Sequence, residues 1–316
     1  MNFERLKREY LEYLEIEKDR SRKTIENYGH YLDRFFAWAK IKSPEQITDE
    51  LVRSYRLHLN RLADGKGSSR PGSGGAGRPL KKITQNYHVI ALRNFLKYLA
   101  KRDIKTLAAE KVELGKSEKR QIDFLETEEV DRMLESAGGA DLKSLRDRSI
   151  LELLFSSGLR VSELIGLNRS QVNVRTREFS VRGKGGKVRV VFTSDRAKSA
   201  LERYMKKRAD IDPALFARVG IRHMEDKNKT NDLRITPRTV QRIVKYYALK
   251  AGIVKDVHPH TLRHSFATDL IQNGADIRSV QEMLGHSSVT TTQVYTHVTN
   301  KQLRDVHKAF HGKRRK

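Results

Sequence analysis

The chain has 316 residues, with 64 Lys plus Arg against 39 Asp plus Glu and no cysteine. The missing thiols exclude disulfides, thiolate metal sites and cysteine nucleophiles, and they fit a cytosolic protein. A formal net charge of +25 carries a cost in self-repulsion, which points to a polyanionic partner: nucleic acid first, an anionic membrane second.

The basic residues run along the whole chain rather than on one amphipathic helix, which argues against a membrane surface. No apolar run is long enough to cross a bilayer, and the N-terminal stretch lacks the apolar centre of a secretory signal. The length suits two domains.

In chain order, "NFERLKREYLEYLEIEK" and "SRKTIENYGHYLDRFFAWAKI" repeat apolar residues at three- and four-residue steps and predict helices. Thr48 is the expected N-cap of "DELVRSYRLHLNRLA". "DGKGSSRPGSGGAGRP" then reads as a flexible loop before helix "ITQNYHVIALRNFLKYLAKR". These elements predict a helical domain over residues 1–112, followed by a charged linker at 113–124 and a second domain over 125–316.

In that second part Thr127 is the expected cap of "EEVDRMLESA", and "DLKSLRDRSILELLFSS" reads as a strongly amphipathic helix stopped by Gly158. "EFSVRGKGGKVRVVF" alternates on both sides of a glycine-rich turn, the pattern of a hairpin. Ser194 opens another helix, and Asp212 to Asn231 carries little pattern. Thr236 and Pro237 begin "RTVQRIVKYYALKA", which Gly252 stops. Short helices are expected from His260 to Asn273, Asp276 to Leu284 and Ser288 to His297, with a basic terminal helix beyond. The fold class is therefore mainly α with a small antiparallel β-sheet.

Candidate chemistry sits in a few stretches. "GKGGKVR" is not a nucleotide-binding phosphate loop, because Gly186-Lys187 leads into Val188 and a strand instead of Ser or Thr and a helix. It is either a solvated turn or a lysine, Lys184 or Lys187, delivered to a phosphate backbone. "HPHTLRHSFATDL" places His258, His260 and His264 beside Arg263. A metal reading lacks the glutamate of HExxH and an obvious fourth ligand, and Arg263 would repel a cation. A packed reading makes His260 a helix cap. An anion site, built on a helix N-terminus with His and Arg donors, is favoured. Arg160, directly after the Gly158 stop and at the head of an apolar helix, is placed to aim at a ligand.

"GLRVSELIGL", "GKGGK", "HPHTLRHSFAT" and "LGHSSVTTTQVYTHV", in this order, resemble the tyrosine recombinase (phage integrase) family, nearest its Xer chromosome-dimer-resolving branch. The strong similarity covers roughly residues 125–300, and the first domain is similar, more loosely, to the family's SAM-like core-binding domain. The resemblance implies that Arg160 and Arg263 are the catalytic arginines, Lys184 the hairpin lysine, His260 and His286 the catalytic histidines and Tyr295 the nucleophile. It implies a supporting part for Glu163 and none in catalysis for His264.

The implied reaction cuts and rejoins duplex DNA through a 3′-phosphotyrosine, with no cofactor and no metal. The implied partners are double-stranded DNA with paired recombination half-sites, a homo-tetramer or a hetero-tetramer with a second recombinase, and a DNA translocase of cell division, all in the cytoplasm. "TNKQLRDVHKAF" is the expected docking helix between subunits. The departure from the family is the Gly/Ser/Pro loop at residues 65–78, longer than usual, which bears on how the first domain clamps DNA. A mobile-element integrase, a type IB topoisomerase, which would relax plasmids without a specific site, and a non-catalytic DNA-binding protein are the competing readings.

Overall fold

The computed structural model describes residues 3–62, 79–115, 123–173, 176–183, 186–219 and 233–285. The chain divides into two compact units, Met1–Arg120 and Gln121–Lys316.

The first unit is built from α1 (Phe3–Ile16), α2 (Arg22–Ala39), α3 (Asp49–Arg61) and α4 (Lys82–Lys101). Ser21 and Thr48 cap α2 and α3 by accepting from Thr24 N and Leu51 N, because each helix otherwise starts with unpaired amide groups. Leu6, Tyr10 and Leu14 of α1 meet Leu32 of α2 and Phe95, Tyr98 and Leu99 of α4. A second cluster joins Phe35, Tyr55, Leu59, Val89, Leu92 and Leu96. Helix α4 feeds both clusters and is the spine of this unit.

His88 of α4 lies buried beside the Tyr55 hydroxyl, 3.3 Å from Nδ1. Burial, with Arg34 and His30 nearby, pushes its pKa down to about 4, so it packs as a neutral ring. Past α4, Val112 is buried, and Asn86 exchanges hydrogen bonds with Gly115 in both directions. The chain leaving this unit is thus fixed to α4 as far as Gly115.

The second unit contains α5 (Thr127–Ser136), α6 (Leu142–Ser157), α7 (Val161–Gly166), a hairpin of β1 (Glu178–Arg182) and β2 (Val188–Phe192), α8 (Asp195–Lys207), α9 (Pro237–Lys250), α10 (Pro259–Gln272) and α11 (Ile277–Leu284). Ser194, Thr236 and Asp276 cap α8, α9 and α11 as accepting side chains. At α5 the cap is Glu126, one residue before the expected Thr127: Glu126 N donates to Glu129 Oε2, closing a capping box.

Helix α6 departs more from expectation. The sequence suggests a strongly amphipathic helix, yet Arg146, Asp147, Ser149 and Glu152 are buried along with Ile150, Leu151, Leu153 and Leu154. It is the central helix, and its polar residues survive burial by pairing. Arg146 forks onto Asp147 and reaches Ala217 O, Ser149 Oγ donates to Ala200 O, and Arg148 pairs with Glu152.

The stretch after Asp212, nearly patternless in sequence, is held by polar bonds. Arg208 donates to Ala214 O and Leu215 O, while the Asp212 carboxylate accepts from Ala214 N and Leu233 N. In the hairpin, Phe179 pairs with Val191 and Val181 with Arg189. Phe179, Val181 and Val191 are buried, so β2 turns Arg189 to the inner face and leaves Val188, Val190 and Phe192 exposed. The expected loop at 65–78, the helix at 288–297 and the terminal helix lie outside the described residues. Among those described, no helix is long and apolar enough to cross a membrane.

Gly158 ends α6 in the left-handed conformation at φ 59°. A Cβ there would fall 2.5 Å from Phe266 Cδ1 and 3.0 Å from Leu284 Cδ2, so the site refuses a side chain on both counts. Gly158→Ala is expected to cost about 2–4 kcal/mol, read as a lower urea midpoint. Gly166→Ala, where a Cβ meets open space, is expected to change stability by under about 1 kcal/mol.

Candidate active site

Two helix endings meet in the second unit. Helix α6 stops at Gly158 and α11 stops at Gly285, also left-handed at φ 62°. Each ending leaves main-chain carbonyls without helical partners, and the helix dipole makes that end negative. Arginines occupy both. Arg263, from α10, is 4% exposed and donates Nη1 to Gly158 O at 2.5 Å and Nη2 to Leu284 O at 2.5 Å. Arg160, the N-cap residue of α7, donates Nη2 to Gly285 O at 3.0 Å. Two cations far apart in sequence therefore sit on consecutive carbonyls. The Arg160 side chain keeps 25% of its surface open.

Glu163 holds Arg160 from the other side. Its Oε2 accepts from Arg160 N, and its Oε1 accepts from Arg160 Nη1, both at 2.8 Å. Arg189 of β2 forks onto the same carboxylate at 2.7 and 2.9 Å and donates Nε to Met283 O at 2.9 Å. Burial opposes ionisation of Glu163. The hydrogen bonds from Arg189 and from the Arg160 amide outweigh it and bring the pKa down to about 2.

The histidines divide by position. His258, not His260, is the N-cap of α10; its amide donates to Thr261 Oγ1 at 3.3 Å, and its Nδ1 bonds the same hydroxyl. His260 lies in the first turn with a solvent-exposed surface. Its pKa is lowered, first by partial loss of hydration and then by repulsion from Arg263, His258 and Arg160. His264, one turn on and half-buried, is pushed down to about 4, mainly by burial. Near pH 7 the His260 ring is thus neutral, with a nitrogen free of its proton beside two fixed cations. Among the described residues no group of three or more His, Asp or Glu is arranged to hold a metal ion.

The structure brings Arg160, Arg263 and His260 together, while Lys184, His286 and Tyr295 lie outside the described residues. The chain bordering two of those positions does reach the site. Gly183, which precedes Lys184, sits where a Cβ would be 3.4 Å from Glu163 Oε1, and Gly285, which precedes His286, supplies the carbonyl under Arg160. Sequence reasoning missed Arg189. The available signal was strand alternation: a charge at an inward position opposite Val181 needs a buried counter-charge.

The model of the Phage integrase family matches residues 123–302, and that of the phage integrase N-terminal SAM-like domain matches residues 8–103. Over 306 residues the chain is 35% identical to tyrosine recombinase XerD of Oceanobacillus iheyensis, spanning 96% of this chain and 97% of that one. It is 35% identical to tyrosine recombinase XerC of Haemophilus influenzae, spanning 97% and 98%. Among solved structures, the XerA recombinase matches with a TM-score of 0.51 at 28% identity over 98% of this chain and 99% of that one. The Tn1549 transposon integrase in complex with circular intermediate DNA matches with a TM-score of 0.67 at 19% identity, over 95% and 98%, a likeness of fold.

Glu163 supplies a stability prediction with a definite sign. Its folded pKa lies below the ordinary carboxylate value, so its contribution is complete above that value and disappears as pH falls towards about 2. Glu163→Gln, which leaves Arg189 without its buried partner, is expected to cost about 3 kcal/mol at neutral pH. The difference from wild type should shrink steadily on acidification in denaturant unfolding. A gap that stays constant with pH would show that the carboxylate charge is not its source.

Proposed function

This chain belongs to the phage integrase family of tyrosine recombinases, and we propose that it is a site-specific recombinase of the Xer type that resolves chromosome dimers. The single observation that carries the chemistry is the seating of Arg160 and Arg263 on the consecutive carbonyls of Gly285 and Leu284, beside His260, whose pKa is lowered by its loss of hydration and by their charge. Two fixed guanidinium groups suit the paired non-bridging oxygens of a phosphodiester, because a planar fork matches that geometry and acts most strongly as charge accumulates at phosphorus.

The Tyr295 oxygen forms a bond to phosphorus while the bond from phosphorus to the 5′ oxygen breaks. His260 accepts the phenol proton, which a group of pKa about 10 does not release unaided at neutral pH. Lys184 gives a proton to the departing 5′ oxygen, and His286 donates a hydrogen bond to the phosphate. The 3′-phosphotyrosine conserves the energy of the broken linkage, so the 5′-hydroxyl of a second strand reverses the step on a new partner. A net charge of +25 supplies the sequence-independent attraction to duplex DNA.

The wider assignment rests on kinship across the whole chain. Relatives at about 35% identity over 96% of the chain are named tyrosine recombinase XerD, and structures of similar fold include XerH bound to difH substrate. By this reading the protein acts in the cytoplasm as a tetramer on two paired half-sites, alone or with a second recombinase, under the control of a DNA translocase of cell division.

Covalent trapping on a nicked, random-sequence duplex library tests the reading. The expected product is DNA joined through a 3′-phosphate to Tyr295, enriched in an inverted repeat. Tyr295→Phe should abolish the adduct while keeping DNA affinity within about twofold. Adducts without sequence enrichment would favour a topoisomerase, and no adduct at all a non-catalytic binder. A second expectation concerns pH. Because the pKa of His260 is lowered from 6.5, its neutral form persists as pH falls through that value. The acid limb of single-turnover cleavage at subsaturating DNA should therefore have its midpoint below pH 6.5 and vanish in His260→Gln.

A further inference from the structure

Arg189 lies on β2, and its side chain is only 11% exposed. Its cross-strand partner is Val181, so it points to the same face as buried Phe179, Val181 and Val191. A lone cation at such a position would be costly, and here its side-chain hydrogen bonds tie it to two other elements. Nη1 and Nη2 fork onto Glu163 of α7, which at the same time accepts from Arg160, and Nε reaches Met283 O in the last turn of α11.

The glycines around it show how closely the parts fit. A Cβ at Gly285 would meet Arg189 Cδ at 3.1 Å, and one at Gly183 would lie 3.7 Å from Nη1. Arg189 thus joins the hairpin to both elements that seat Arg160. A two-stranded ribbon is only marginally stable by itself and takes its orientation from whatever anchors it.

We propose that Arg189 is a positioning residue for strand cleavage: it holds the hairpin that carries Lys184 in register with the seat of Arg160 and with the end of α11 that leads into His286. This rests on Lys184 as the proton donor to the 5′ oxygen. Lys184 follows directly on Gly183, whose amide closes the hairpin on Lys187 O at 2.7 Å, so an error in orientation at Arg189 carries to the tip. Proton transfer needs the donor within hydrogen-bond reach, and a misplacement of about 1 Å can cost on the order of 100-fold in rate. Lysine at this position keeps the charge but cannot fork onto a carboxylate and reach a carbonyl together.

The test compares two leaving groups on the duplex recovered by covalent trapping. One duplex carries the ordinary bridging oxygen; the other carries sulfur in place of the 5′ oxygen at the cleaved linkage. The phosphorus–sulfur bond breaks to release a thiolate, which needs no proton from the protein. Arg189→Gln should cleave the oxygen duplex about 10- to 100-fold more slowly than wild type, and the sulfur duplex within about fivefold of it. Lys184→Ala should show the same selective rescue, and Arg189→Lys a smaller version of it.

The ratio between substrates is taken on one protein sample, so a loss of folded fraction cancels. Should Arg189→Gln not fold, Arg189→Lys carries the comparison. An equal slowing on both duplexes, with Lys184→Ala still rescued, would overturn the inference about Arg189 alone. A Lys184→Ala variant that sulfur does not rescue would instead overturn the reading of Lys184 on which it rests.

Discussion

Like charges repel, and this protein holds Arg160, Arg189 and Arg263 around the endings of the same two helices. That repulsion is the constraint the catalytic unit is built to overcome. Glu163 answers part of it by taking bonds from two of the three, at a depth where an unpaired carboxylate would lose its charge. The carbonyl ends of α6 and α11 answer the rest. Arg160, balanced on one side and partly open on the other, is then poised for an incoming anion without being neutralised in advance. An isolated carboxylate could not have held all three cations. A second one aimed at the opening would have competed with phosphate.

Rigidity comes from the surroundings. Helix α6, fully buried at Ile150, Leu151, Leu153 and Leu154, fixes where Gly158 stops and hence where Arg263 finds its acceptor. Buried Leu125 and Ser265 are joined by the bond from Leu125 N to Ser265 Oγ at 2.8 Å, which ties the start of the unit to the middle of α10. The cluster of Phe266, Ile271, Val280 and Leu284 packs α10 on α11. Apolar packing thereby sets the spacing of the cations, and the cations need no flexibility of their own to reach their acceptors.

What the sequence revealed follows from the range of the forces involved. Thr48, Ser194, Thr236 and Gly158 act on amides or carbonyls within four residues, so a reader of the chain sees both cause and partner. The hairpin was legible for the same reason. Glu126 displaced Thr127 as a cap because two local accepting groups competed and only three-dimensional geometry decided. Helix α6 was misjudged because its polar residues find partners as distant as Ala200 and Ala217, which no periodicity reports. Arg189 was overlooked although its inward position was readable, since its meaning lies in a carboxylate 26 positions away. The grouping of Arg160 with Arg263 is carried by motif resemblance; their common seat on Leu284 and Gly285 exists only in the folded chain.

Arg263 donates to two main-chain oxygens, Gly158 O and Leu284 O. A peptide carbonyl neither titrates over the biological range nor changes when its residue is replaced, so this support is blind to acidity and largely indifferent to substitution. Replacements at the exposed Arg278, Ser279 and Glu282 of α11 leave those carbonyls, and so the cation's footing, in place. The vulnerable points are the two turns where backbone shape itself is demanded, at Gly158 and Gly285.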